Sequence, residues 1–387
     1  MSDAASDIPI SLIRGGSFYW IQEKARLIRP HTWDLQRRLP SALAVTWLPL
    51  LVLAMVHGGW LDLRALLTDY RVNARLLVAV PLLLIGQITM ETRFREMAQH
   101  FLDANIIRLE ELPRFREIMQ TTSRLRDAKL PEIIALILVY AQVGYFFSSG
   151  RLHFAAWAVD SHSNAITPAG YYAVLAGHAL FLALLAMAMW KWVIWIYVLY
   201  RISRLNLQLD ATNGDLAAGL GFLGEVPRAF VPVVLSISIV IGATWRAQVL
   251  AGQQTLAYLK WPAGLLAVLI LLIFCLPLLL FTPRLLREKR EGNLKYGALQ
   301  HLHSLQFRDK WSEHRNEHIG ELLGTSDVSS LADLSSSFKN VEDMVAYPFR
   351  KSTALALLVA LALPMIPVVT IQIPFQELIK DLFEAIH

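Results

Sequence analysis

A single cysteine, Cys275, stands in a chain of 387 residues. No internal disulfide can form from it, and no multi-cysteine metal centre can be assembled. Charge is also scarce: Asp, Glu, Lys and Arg make up 17% of the residues against 55% hydrophobic ones, whereas soluble domains carry about 25% charged residues. A soluble globule is thereby excluded. No Asp or Glu occupies the middle of a long apolar stretch, since Glu91 and Glu132 stand at stretch ends. That absence argues against a proton- or sodium-coupled mechanism built on midplane carboxylates. The first 38 residues hold six basic side chains but neither an apolar core nor a small-residue cleavage site, so a cleavable signal peptide is not expected. No internal repeat is visible, and an odd number of spans cannot split into equal halves, which disfavours an inverted-repeat transporter.

What the chain does have is seven apolar stretches, at 39–56, 76–90, 133–147, 171–200, 229–245, 262–281 and 353–373. A membrane helix needs about 20 apolar residues, so the second and third, with Gln87 and Gln142 in them, are short, and the fourth is long enough to tilt or to run past the hydrocarbon. The expected fold is all-α: a polytopic membrane helix bundle of about seven spans with a helical cytoplasmic domain. Basic residues set the orientation, because Lys- and Arg-rich loops stay cytoplasmic. Of the 36 Lys and Arg, 28 fall in alternate connecting segments beginning with the N-terminal one, 7 fall in the others, and Lys191 lies inside the fourth stretch. The N-terminus is therefore expected in the cytoplasm and the C-terminus outside, in the periplasm. On the same count the net charge of +5 reflects threading and not a nucleic-acid partner.

The resulting organisation is a cytoplasmic segment 1–38, spans one and two in 39–90, cytoplasmic helices in 91–132 divided at Pro113, spans three to six in 133–281 with a glycine-rich cytoplasmic loop 205–225, a cytoplasmic helical hairpin 282–350, and span seven with an outer amphipathic tail in 351–387. In the hairpin, Val328, Leu331, Leu334, Phe338, Val341 and Val345 repeat at steps of 3, 3, 4, 3 and 4. This is a seam two heptads long that wants a partner helix. Either it packs within the chain, or Leu331, Leu334, Phe338 and Val341 assemble subunits or hold a cytoplasmic protein partner. After Pro374, apolar residues from Phe375 to Ile386 line one face of a short helix expected to lie on the outer membrane surface.

Several groups are candidates for chemistry. Lys191 is the only Lys or Arg deep in an apolar stretch, which makes it a functional candidate; the aromatic residues around it, Trp190, Trp192, Trp195, Tyr197 and Tyr200, equally suit a snorkelling lysine in an interfacial belt. His178, Gln87 and Gln142 join it as pore or binding candidates, with helix-to-helix hydrogen bonding as the plainer role. His314 to His318 reads HRNEH, the HxxEH pattern in which two histidines hold zinc and a glutamate acts as base. Residues His314, Glu317 and His318 lack a protease-sized domain around them, so packing or a solvated face competes with a metal role, and no resident metal or cofactor is expected. Gly219 to Gly224 reads GLGFLG, formally a dinucleotide fingerprint, but no strand precedes it and no acid follows at the required distance. Asn213, Asp215, Gly219 and Gly221 are better explained by a turn with close backbone packing.

Two segments, LNLQLDATNGDLAAGLGFLGE at 205–225 and ELLGTSDVSSLADLSSSFKNVEDMVAYPF at 321–349, resemble stretches of a family of uncharacterised bacterial multi-pass inner-membrane proteins. In those relatives the first segment tends to read Thr-His-Pro-Asp before the glycines; here Asn213 and Gly214 replace the His-Pro while Asp215 remains. The resemblance implies a bacterial inner-membrane location and this span layout, and no activity. Three functions are compatible with the residues: an oligomeric channel or transport-type protein, a membrane-anchored scaffold or sensor, and a membrane metallopeptidase.

Overall fold

The computed structural model describes residue 24 and residues 35–148, 155–160, 163–313 and 326–371. The HRNEH motif, with His314, Glu317 and His318, and the amphipathic tail after Pro374 lie outside the described residues. Helices dominate, and no β-strand forms among the described residues; two isolated bridges, Ile107 to Leu207 and Val159 to Ile166, pin loops together. The principal helices are α1 (Leu35–Thr46), α2 (Leu48–Thr68), α3 (Tyr70–Asp103), α4 (Leu112–Asp127), α5 (Lys129–Ser148), α6 (Pro168–Ser203), α7 (Val231–Leu250), α8 (Leu256–Cys275), α9 (Thr282–Arg308), α10 (Ser326–Asp343) and α11 (Lys351–Ala362). Seven helical segments are long and apolar enough to cross a membrane. Their large exposed aliphatic surface, such as Ile137, Leu138, Leu265 and Val268, suits lipid and not water. The protein is a multi-pass membrane protein.

The innermost helices are α3 and α7. Against α3 pack α1, α6, α7 and the 3₁₀ segment Gly221–Phe230; α7 in turn carries α11 on its other side. Half of the most apolar window of the Gly221–Leu250 segment is buried. The reason is sequence-local: small or hydroxyl side chains let neighbours close in. Ser236 Oγ donates to the Ala79 carbonyl at 3.0 Å and Ser238 Oγ to the Leu361 carbonyl, and a Cβ on Gly242 would meet the Pro364 carbonyl oxygen at 2.7 Å. By contrast α5 leans on α6 alone among the long helices, with most of its surface exposed.

The connections differ in detail from the sequence expectation. Span two does not stop at residue 90: α3 runs unbroken to Asp103, so its last turns leave the apolar stretch and carry Met97, Ala98 and Phe101 into the core. The break between helices falls at 104–111, and Pro113 does not divide the segment but sits in the first turn of α4, where a missing N–H costs nothing. The fourth stretch extends to the 36 residues of α6.

Beyond the membrane core at one end, α9 and α10 form an antiparallel pair. Phe338 lies beside Gly297, and Val341, fully buried, lies beside Gly292. The seam residues are thus engaged within the chain: Leu331 and Leu334 are half-buried, while Val328 and Val345 are exposed. Both ends of α10 are anchored to the preceding helix. Lys289 Nζ donates to the carbonyls of Glu342 and Met344, each at 2.7 Å, a cation satisfying helix-terminal acceptors. Lys310 and Trp311 donate to Asp327 at 2.6 and 3.2 Å, and the hydrogen bond from Lys310 holds that carboxyl below the usual carboxylate range. Gly292 is the tightest point, because a Cβ there would stand 2.7 Å from Ala211 Cβ and 2.9 Å from a Val341 methyl. Gly292→Leu is expected to cost about 1–3 kcal/mol through overpacking and to expose the α10 end to protease; an unchanged digestion pattern and melting midpoint contradict this packing.

Candidate functional site

Two helices carry an unusual local geometry at matching heights. In α3 the turn Ala74–Ala79, and in α6 the turn Ala173–His178, are wound as π-helix, a geometry concentrated at functional sites. In α3 the cause is visible in the sequence: Pro81 lacks an N–H and its ring crowds the carbonyl four residues back. The two wide turns touch. Gly177 leaves room for Leu76, whose nearest methyl stands 3.1 Å from where a Cβ would be.

This contact borders a cavity of about 650 Å³ at the end of the bundle opposite α9 and α10. Its wall includes Arg71, Arg75, His178, Thr244 and Gln248, and Asp69 is the single acid among the lining residues. The charge of Asp69 is already engaged: its carboxylate accepts from the Arg71 backbone N–H at 3.0 Å and from Trp157 Nε1 at 3.1 Å, and lies 3.7 Å from Arg71 Nε. Arg75 and His178 are different. Arg75 Nε and His178 Nδ1 are buried with no hydrogen-bond partner among the described residues. Nearby, the Arg246 guanidinium rests over the Tyr70 ring at 4.1 Å, so positive charge outweighs negative around this space. Unpartnered polar nitrogens in a low-dielectric pocket are costly unless a hydrogen-bonding group reaches them.

A second polar cluster lies on the same two helices nearer the α9–α10 end. Arg38 of α1, nearly fully buried, donates from Nη2 to Gln87 Oε1 at 2.9 Å. One turn along α3, Glu91, only 1% exposed, accepts from Arg95 Nη2 at 3.2 Å. Lys191 of α6 faces the charges of Arg38, Glu91 and Glu132. From Arg75 to Glu91 is 16 residues and from His178 to Lys191 is 13, which at 1.5 Å per residue places the clusters roughly 20–24 Å apart, within a hydrocarbon core of about 30 Å. Ionisable groups inside a membrane domain are costly to bury and are candidates for function.

Of the residues singled out from sequence, Lys191 and Gln87 meet in one cluster and His178 lines the other site. Gln142 does not join them: it lies on the exposed face of α5, whose buried positions are Val139 and Val143, so it addresses the surroundings of the bundle and not a path through it. Arg38, Glu91, Arg75 and Arg71 were not candidates from sequence, because each sits at the edge of an apolar stretch, where charge is ordinary.

The glycine-rich loop is a structural device. Asp215 accepts three backbone N–H bonds: Oδ1 from Ala217 at 2.8 Å and Gly219 at 3.0 Å, Oδ2 from Gly221 at 2.8 Å. The chain wraps around this carboxylate with positive φ at Leu216 (56°), Ala218 (54°) and Gly219 (90°). Asn213 starts the wrap by accepting from the Asp215 N–H at 3.0 Å. The loop then receives α10, through Val345 N–H to the Leu216 carbonyl at 2.8 Å and Asn340 Nδ2 to the Thr212 carbonyl at 3.1 Å. Among the described residues no group of three His, Cys, Asp or Glu side chains could hold a metal ion.

Fold and site together define a polytopic α-helical membrane protein with two charged clusters along helices α3 and α6. Comparison with known proteins finds no matching family model, no matching curated sequence and no matching solved structure.

Proposed function

We propose that the protein is a transport-type membrane protein for a small anionic solute. The observation that carries this reading is the pair Arg75 and His178, set on two facing π-turns, each with a buried unpartnered nitrogen, at one cavity with a single, already engaged acid. The Arg38–Gln87–Glu91–Lys191 cluster, further along the same helices, supplies a second station of mixed charge. The distribution of basic residues, 28 of 36 in alternate segments, supports an orientation with the α9–α10 end in the cytoplasm. The Arg75 cavity then opens to the opposite side and takes the solute from there. Arginine supplies a permanent charge and a fork of donors suited to carboxylate or phosphate oxygens.

The test is anion flux into proteoliposomes containing the purified full chain, with chloride, nitrate, phosphate, sulfate and small carboxylates offered separately. At least one anion is expected to move. Arg75→Gln and His178→Gln are each expected to lower that flux about tenfold or more, the loss of a hydrogen bond to a charged partner, while Gln142→Leu leaves it unchanged. Absence of flux for every anion, or flux indifferent to both the Arg75 and His178 variants, overturns the reading.

A further inference from the structure

A larger groove, about 1260 Å³, opens on the other end of the bundle, where α8 passes through the 3₁₀ segment Leu276–Phe281 into α9. It is independent of the Arg75 cavity and shares no lining residue with it. Its wall changes character in one direction. The part on the membrane side is apolar, formed by Ile196, Leu272, Ile273 and Leu276, and it continues into the exposed aliphatic surface of α8 and the segment after it, where Leu272 and Leu276 are about half exposed. Next come Arg284 and Arg287 in the first turns of α9, then Glu288 and Glu291 one turn further from the membrane core. The spacing is the informative part. Arg284 with Glu288, and Arg287 with Glu291, are four apart on one helix, a separation at which opposite charges ordinarily pair. Yet none of these four side chains makes an ion pair or a side-chain hydrogen bond among the described residues. Like charges outnumber opposite ones around each: Arg287 and Arg204 act on Arg284 against Glu111, and Glu291 and Asp210 act on Glu288 against Lys295. The groove thus presents a hydrocarbon wall, then a level where Arg204, Arg284 and Arg287 outweigh Glu111, then the carboxylates of Glu288 and Glu291.

We propose that this groove binds a phospholipid with a primary-amine headgroup, of the phosphatidylethanolamine type. The acyl chains lie along Leu272, Ile273 and Leu276, the phosphate is held by Arg284 and Arg287, and the ammonium reaches Glu288 and Glu291. The order of the three levels matches the order of the three parts of such a lipid, measured outward from the hydrocarbon. A choline headgroup fits less well, because its quaternary nitrogen cannot donate hydrogen bonds to the carboxylates. A glycerol headgroup brings no cation for them at all.

The experiment is native mass spectrometry of the full chain released from detergent micelles doped with equal amounts of phosphatidylethanolamine, phosphatidylglycerol and phosphatidylcholine. The ethanolamine lipid is expected to be retained about tenfold more than the other two. Glu288→Gln with Glu291→Gln is expected to abolish that preference while some phospholipid is still retained; Arg284→Gln with Arg287→Gln is expected to abolish retention. Arg64→Gln, at the far end of the bundle, serves as a charge-matched control with retention unchanged, and melting midpoints establish that each variant is folded. Equal retention of the three lipids, preference for the glycerol lipid, or a preference that survives the double glutamine change at 288 and 291 overturns the proposal. So does displacement of the lipid by millimolar O-phosphoethanolamine as effective on the wild type as dilution of the lipid itself, which points to a soluble solute.

Discussion

Glu91→Leu is expected to leave the protein poorly folded, with a stability loss of about 3–5 kcal/mol, the usual consequence of removing one partner from a buried ionic group. Glu91 is 1% exposed and Arg38 4%, and Lys191 faces both. The acid, ion-paired with Arg95, is therefore a buried counter-charge beside Arg38 and Lys191. Against a total stability of about 5–15 kcal/mol, such a loss is severe, and the readout is the melting midpoint and monodispersity of the purified chain in detergent. The mechanism makes a second demand. If surplus positive charge is what destabilises the variant, Lys191→Leu in the same chain must restore part of the loss, and Glu91→Gln, which keeps the shape and an acceptor, must cost less than leucine. A Glu91→Leu protein that melts like wild type, or one that Lys191→Leu makes worse, contradicts the assignment of Glu91 as the counter-charge.

Asp215→Ala is the second large effect. Three backbone donors, from Ala217, Gly219 and Gly221, lose their acceptor at once. Unsatisfied buried donors cost about 1–3 kcal/mol each, so the sum is on the order of 4 kcal/mol with some relief from water at the exposed side. The loop also holds Leu216 and Ala218 at positive φ, a conformation that persists only while the surroundings over-determine it. Without the carboxylate the wrap opens, and with it goes the surface that receives Val345 and Asn340 of the α10 segment. Limited proteolysis is expected to cut within 205–225 in the variant and to spare the wild type. Asp215→Asn retains one acceptor oxygen and should fall between the two. Resistance of Asp215→Ala to digestion, at an unchanged melting midpoint, would falsify the role given to this residue.

Residues of one kind show why some of the site was readable and some was not. Gln87 and Gln142 both sit in short apolar stretches, and the same argument nominated both; α3 is surrounded by helices whereas α5 is peripheral, so only Gln87 became buried, bonded to an arginine 49 positions away. Lys191 was legible because a lysine in an apolar run has no local justification. Its neighbours Arg38 and Glu91 were not, since each stands where a span meets a charged loop and looks like a solvated end. Arg75 was hidden in the same way: it reads as an outer loop residue, and although Pro81 accounts for the wide turn it stands on, the His178 beside it belongs to another helix about 100 residues away. The repeat at 328–345 was visible as a seam, yet its partner, the glycine-bearing face of α9 at Gly292 and Gly297, carries no hydrophobic repeat of its own to advertise it.

By itself the sequence determined that this is a multi-pass helical membrane protein, because crossing hydrocarbon demands runs of apolar residues long enough to be counted and backbone bonds satisfied within each helix. It likewise determined the candidate status of Lys191 and His178, whose residue types are costly where they stand. Only the tertiary structure decided which polar groups meet. Charges and polar groups interact over a few ångströms, and whether Arg75 finds His178, Arg38 finds Gln87, or Arg284 stays apart from Glu288 is set by helix rotation and packing that no local pattern encodes.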